Sequence, residues 1–153
     1  MSTQSVLRRG VEMKESSHCF SVCYIHISGV VMSPNFPNIY PNSIDRTDMI
    51  SVAPEKRIEI VFTNFTVQLH PDCRHDQLSI IDQDGSQLLG LSCGLELPPG
   101  EHRTSHNNSQ PTSSGVRSKS NIVFIKFFTD NDPGSQTLVP LSGWRLEWKS
   151  INP

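Results

Sequence analysis

Charge, aromatic rings and long apolar runs are all scarce in this chain of 153 residues, at 18% charged and 7% aromatic. No stretch approaches the roughly 18 consecutive apolar residues that a membrane-crossing helix needs, so no span is predicted. Thirteen Lys and Arg nearly balance fifteen Asp and Glu, leaving a net charge of -2. Near-neutrality excludes a general nucleic-acid binder, whose affinity comes from a basic stripe that displaces counterions. Catalytic signatures are missing too: there is no G-x-S-x-G elbow, no H-E-x-x-H pair and no glycine-rich phosphate loop. No long segment repeats its apolar residues at the helical period, which argues against a helical framework. The first twenty residues, MSTQSVLRRGVEMKESSHCF, contain only isolated Val6, Leu7, Val11 and Met13 and no apolar core of a secretory signal. That start leaves two readings open, a truncated or mispredicted gene product or a protein not exported by this route. Residues 1–18 read as a flexible polar arm.

What the chain does contain is short alternating segments separated by turn formers. Ser33 to Asn42 packs three prolines into ten residues. Proline lacks a backbone donor and pushes its predecessor to extended geometry, so this stretch is an ordered loop, with Phe36 and Tyr40 packed against the end of the fold. Ile58, Ile60 and Phe62 alternate along one face of a half-buried strand, and Val123, Ile125 and Phe127 repeat the pattern. Trp144, Leu146 and Trp148 point one way while Arg145, Glu147 and Lys149 point to water. Asp84-Gly85 supplies a tight-turn signal after Gln77–Asp82. Eleven prolines and nine glycines spaced among such segments predict an all-β fold, a two-sheet antiparallel sandwich of jelly-roll type. Residues 100–120 hold Val116 as their one aliphatic side chain and read as a long mobile loop. The domain is expected over 19–149, with a tail at 150–153. Four cysteines, at 19, 23, 73 and 93, allow three fully paired connectivities, and spacing does not choose among them.

Five pieces, in order, resemble the CUB domain, an extracellular β-sandwich module. Gly29-Val-Val-Met-Ser-Pro-Asn-Phe-Pro-Asn-Ile-Tyr-Pro-Asn42 is similar to the family's opening G-x-x-x-S-P-N-x-P-x-x-Y-P. Arg57-Ile-Glu-Ile-Val-Phe-Thr-Asn-Phe65 is similar to its I-x-x-x-F-x-x-F strand, and Cys73-Arg-His-Asp-Gln-Leu-Ser-Ile80 to C-x-x-D-x-L-x-I. Cys93-Gly-Leu-Glu-Leu-Pro98 and Gly143-Trp-Arg-Leu-Glu-Trp148 resemble the closing C-G-x-x-x-P and G-[aromatic]-x-L-x-W. The resemblance implies export and a non-catalytic module that binds an extracellular protein or glycan. It also implies a Cys73–Cys93 disulfide, whose loop closure contributes ~3 kcal/mol on a chain-entropy estimate. The alternative it suggests is an accessory domain of a secreted protease, astacin-like or complement-type. One family element is missing. The expected D-C-x-W reads Asp45-Arg46-Thr47-Asp48, so Cys19 loses its family partner, and Cys23 is additional. In an extended strand Cys19 and Cys23 stand roughly 13 Å apart, beyond disulfide reach, although a turn could join them.

Many members of the family bind Ca²⁺ through a Glu and two Asp at one end of the sandwich, and the ordered carboxylates then grip a basic side chain on a partner. The matching positions here are Gln68, Asp76 and Asp130, with Asn131 beside the last. Gln68 in place of Glu removes a charge, which moves affinity toward millimolar or abolishes it. Asp72 and Asp132 are the nearest replacement charges. The competing reading makes Asp76 and Asp130 loop residues that hold backbone amides. His70 and His75 flank Cys73, and Cys19, Cys23 and His26 form a second cluster, which raises a small zinc enzyme as a remote alternative. Neither cluster has zinc-ligand spacing. Sequons stand at Asn64 and Asn107, the candidate glycosylation sites.

Overall fold

The computed structural model describes residues 13–15, 24–98, 102–103, 114–132 and 139–153. Among them every regular element is a strand: β1 (Met13–Glu15), β2 (Tyr24–His26), β3 (Ser28–Met32), β4 (Asp45–Ser51), β5 (Arg57–Thr66), β6 (Gln77–Asp82), β7 (Gln87–Ser92), β8 (His102–Arg103), β9 (Ser114–Arg117), β10 (Ile122–Phe128) and β11 (Gly143–Ile151). A four-stranded sheet runs β4-β10-β6-β7 and a five-stranded sheet β3-β11-β5-β9-β8, while β1 and β2 pair separately. All the pairings are antiparallel. This is the expected two-sheet sandwich.

The period-two pattern explains the core. Ile58, Ile60 and Phe62 of β5 and Trp144 and Leu146 of β11 are buried in one sheet, facing Leu78, Ile80, Val123, Ile125 and Phe127 of the other. Each such burial stabilises the fold by about 1.5–3 kcal/mol. Phe127 sets the packing at one end, meeting Tyr40 and Trp144 edge-on at ring separations of 5.3 and 5.6 Å. Two glycines are required by close approach. A Cβ on Gly29 would lie 2.7 Å from the Trp148 indole nitrogen. Gly143 has φ +86°, and a Cβ there would stand 1.9 Å from Ser33 Oγ. That serine accepts the Trp144 amide at 3.1 Å, and its own amide bonds the Trp144 carbonyl at 2.9 Å, so the space is taken by the clamp that joins the first loop to β11.

The positions where the family pattern has cysteine and tryptophan carry an ion pair. Arg46 Nη2 donates to Asp48 Oδ1 at 2.9 Å, and Arg46 Nη1 to the Met32 carbonyl at 3.3 Å. Asp48 Oδ2 lies 2.8 Å from Arg46 Nε, near enough for charge attraction but misaligned for a hydrogen bond. The guanidinium thereby links edge strand β4 of one sheet to edge strand β3 of the other. Cys73 and Cys93 are bridged, with Cα atoms 5.5 Å apart, and tie the loop before β6 to the end of β7.

Three boundary expectations change. Residues 100–120 are not loop throughout, because 102–103 and 114–117 are strands. Glu59, Ile60 and Val61 of β5 pair with Arg117, Val116 and Gly115, and Val116 is 4% exposed. Strand Ser114–Arg117, with one aliphatic side chain, forms because its ladder partner β5 is already fixed by the rest of the core. Within the presumed arm, Met13–Glu15 pairs with β2, and the presumed tail is strand as far as Ile151. Cys19, Cys23 and Asn107 lie outside the described residues.

The Gly143→Ala variant should lose at least ~2 kcal/mol, since it combines a disfavoured left-handed backbone with a steric clash. Urea unfolding checks this, and a loss under about 0.5 kcal/mol would mean that the Ser33 clamp is not as tight as described.

Candidate binding site at the loop end

Four connections converge at one end of the sandwich: the proline-rich loop carrying Tyr40, the segment after β5 carrying Gln68, the loop into β6 carrying His75 and Asp76, and the turn after β10 carrying Asp130 and Asn131. They are laced together by hydrogen bonds. Thr129 Oγ1 accepts the Ile44 amide at 2.8 Å and donates to the Pro41 carbonyl at 3.0 Å. The Ser43 amide donates to the Asp130 carbonyl at 2.8 Å.

At the centre is Asp76, 2% exposed. The Tyr40 hydroxyl donates to its Oδ2 at 2.6 Å, and the Asp130 amide donates to its Oδ1 at 3.1 Å. The same hydroxyl accepts the Gln68 amide at 3.0 Å. One phenol oxygen thus joins three of the four connections. Burial pushes the Asp76 carboxyl above its ordinary range, and Asp130 adds to the rise, while the bonds from Tyr40 and the Asp130 amide and the charge of His75 oppose it. Tyr40 is driven well above an ordinary phenol, first by burial and then by the adjacent carboxylate. Asp130 is held below the usual carboxylate range, chiefly by His75 Nδ1 at 2.5 Å and also by the Asp132 amide at 2.8 Å.

The structure therefore brings Asp76 and Asp130 together, with Gln68 joined to them through its backbone. Gln68 Oε1 is buried and has no hydrogen-bond partner among the described residues, as a donor atom left for a cation would be. Asn131 is exposed, and its Oδ1 meets Ser43 Oγ at 3.4 Å. Two carboxylates and an unpaired amide oxygen suit a hard cation, though with less charge than a tight site needs. Among the described residues no group of three His, Cys, Asp or Glu gathers to hold a metal. The rings of His70 and His75 meet edge-on at 4.7 Å, but His70 Nδ1 accepts the Asp72 amide at 3.1 Å. A neutral imidazole accepting at Nδ1 carries its proton on Nε2, which leaves no lone pair there for zinc. Asp72 is paired with Arg74 at 2.8 Å.

Two members of the site were not legible beforehand. Tyr40 was expected only to pack, and its hydroxyl turns out to be the hub. His75 enters the sequence argument only through the His70–His75 cluster around Cys73, and in the fold it is the partner of Asp130. Neither has a local signal, because each partner lies far along the chain.

A family model described as CUB domain matches residues 19–138. Human cubilin is 34% identical over 105 residues, covering 69% of this chain and 2% of that protein. Mouse tolloid-like protein 1 is 32% identical over 105 residues, covering 67% of this chain and 9% of that protein. Zinc metalloproteinase nas-39 of Caenorhabditis elegans is 37% identical over 82 residues, covering 50% of this chain and 9% of that protein. The chain thus spans less than a tenth of the length of these relatives. Among solved structures, the CUB1-EGF-CUB2 region of human MASP-1/3 superposes with a TM-score of 0.64 at 23% identity, covering 83% of this chain and 43% of that one. The calcium-bound CUB2 domain of MASP-1 gives 0.61 at 23% identity, covering 80% and 91%. At these identities the likeness is one of fold.

Tyr40→Phe should cost about 2–3 kcal/mol near neutral pH, since it strips one donor from a buried carboxylate and the acceptor from the Gln68 amide. A raised folded-state pKa means that ionising Asp76 within the fold costs stability above that pKa, and the cost is relieved as pH falls through it. The variant loses an influence that lowers this pKa, so its deficit should narrow from about pH 7 to about pH 4.5. A deficit that stays constant between urea midpoints at the two pH values would show that the bond is not to an ionised Asp76.

Proposed function

The chain belongs to the CUB domain family, and from that premise we propose that it is a non-catalytic extracellular module that captures a protein or glycan through its loop end. The observation that carries this reading is the Tyr40–Asp76–Asp130 cluster. Each oxygen of Asp76 accepts one hydrogen bond that holds a loop and keeps a further lone pair, while Asp130 with His75 forms the more accessible part. A basic side chain on the partner suits that edge, because the carboxylate of Asp130 keeps its charge well into the acid range. Beside it Leu69, Leu91 and Leu95 are exposed around the Cys73–Cys93 bridge, lining a cleft of about 540 Å³. Apolar side chains next to a fixed charge are what a recognition surface requires.

Calcium belongs to this proposal as a weak ligand. Asp76, Asp130, the Gln68 side-chain oxygen and Asn131 are the residues that would hold it. When bound, the ion supplies positive charge that draws carboxylate oxygens together. The MASP-1 CUB2 structure is calcium-bound, which makes the expectation reasonable. Here Gln68 contributes a dipole rather than a charge, and the His75 ring nitrogen already occupies one oxygen of Asp130, 2.5 Å from its Oδ2. The relatives among proteases support a second reading, an accessory domain in a larger secreted protease, since they share this module over less than a tenth of their length.

On arrays of extracellular proteins and glycans the full chain should give a reversible interaction that Asp130→Ala weakens at least about tenfold. Binding indifferent to that change would place the recognition surface elsewhere. Titration with Ca²⁺ should raise the melting temperature only at around millimolar concentrations, and Asp130→Ala should abolish the rise. A shift in the micromolar range, or one that survives the substitution, would overturn the assignment of ligands.

A further inference from the structure

Strand β5 carries the triplet Asn64-Phe65-Thr66 near its end, where the alternation of the strand breaks. Asn64 pairs with Arg145 of β11, but the next pairing is Phe62 with Leu146, so Thr63 is an extra residue in the ladder. This bulge leaves Thr63 and Asn64 exposed in succession while Phe65 returns to the core. Bulges commonly re-aim a side chain in this way. Arg145 is engaged elsewhere, its Nη1 donating to Thr63 Oγ1 at 2.9 Å and to Glu147 at 2.8 Å. The Asn64 side-chain amide bonds none of the described residues. On its other flank the described residues of β9 pair with Glu59, Ile60 and Val61.

We propose that Asn64 carries an N-linked oligosaccharide, and that this glycan fixes the direction from which a partner reaches the loop end. The inference rests on the extracellular reading above. The Asn64 side-chain nitrogen bonds to the anomeric carbon of an oligosaccharide donated from a lipid pyrophosphate. The carbon–oxygen bond to the pyrophosphate breaks, the lipid pyrophosphate leaves with the electron pair, and one amide proton passes to a base of the transferase. Modification precedes folding, because in the fold the Thr66 hydroxyl that completes the triplet is bonded to Ser142 Oγ at 2.8 Å and to the Gly143 carbonyl at 3.2 Å. Once folded, the strand holds the sugar on the outer face of the five-stranded sheet. Val61 lies three residues back, ~10 Å along the strand, and opens a groove of about 500 Å³ with Glu59, Glu147 and Lys149. The inner sugars overlie that groove, which Val30 and Trp148 also line. Asn64 is also four residues before Gln68, so the glycan stands at the rim of the end that carries Asp76 and Asp130. The side left open is that of Leu69 and the four-stranded sheet.

The test is secretion of the full chain, behind a supplied leader, from glycosylating cells, followed by peptide mapping. Peptide-N-glycosidase should convert Asn64 to aspartate in most molecules. Asn64→Gln should remove one glycan-sized step in mobility, and Thr66→Ser, which keeps the hydroxyl, should retain it. A secreted protein with the Cys73–Cys93 bridge formed and an unmodified Asn64 would sink this inference alone. A chain that fails to leave the cell, with both thiols reduced, would sink it together with the extracellular reading.

Discussion

One buried phenol governs the loop end of this molecule. Taking a carboxylate out of water costs several kcal/mol unless donors replace the lost hydration. Tyr40 supplies one such donor to Asp76, and the Asp130 amide supplies the other. Because the Tyr40 ring also packs edge-on against Phe127, the polar cluster is welded to the core rather than resting on it. The loops at this end owe their order to that junction. A loop end held in this way can present Asp130 and His75 without the entropy loss that a flexible loop suffers on binding.

The opposite economy operates where the two sheets meet at their edges. There an arginine reaches from β4 to the Met32 carbonyl of β3 while it pairs with Asp48. A half-exposed pair of this kind contributes about 0–1 kcal/mol, far less than a covalent bridge. The strong constraints lie elsewhere, in the Cys73–Cys93 bond and in the contacts that exclude side chains at Gly29 and Gly143. Both glycines open or close a motif, and both are required because a neighbouring side chain occupies the space a Cβ would need.

These two patterns give the surface its division of labour. The outer face of the five-stranded sheet is polar and salt-bridged, with Glu59 bound by Lys149 and Arg117 at 2.7 and 2.8 Å. The loop end pairs a charged edge with exposed leucines around the disulfide. Charges on the sheet face are paired within that sheet, whereas Asp130 at the loop end meets His75 from a different connection.

Most of the architecture was legible in the residues themselves. Alternation in β5, β10 and β11 fixed which side chains face inward, because a strand's side-chain period is two whatever it packs against. Motif order identified the family and with it the bridged cysteines. Composition failed at 114–117, since a four-residue strand with one valine is stabilised by a ladder partner that no local window contains. It failed again at Met13–Glu15, which pairs with Tyr24–His26 although neither triplet shows an apolar alternation. The site divided in the same way: Asp76 and Asp130 could be named from their motifs, but not the atoms that hold them. Tyr40 lies 36 residues before Asp76, and His75 lies 55 before Asp130. The sequence by itself determined which residues are available and which face each strand buries. Only the folded chain decided which distant hydroxyl and imidazole close on the two carboxylates, because hydrogen bonds depend on atoms meeting within about 3 Å, a condition set by the packing of whole sheets.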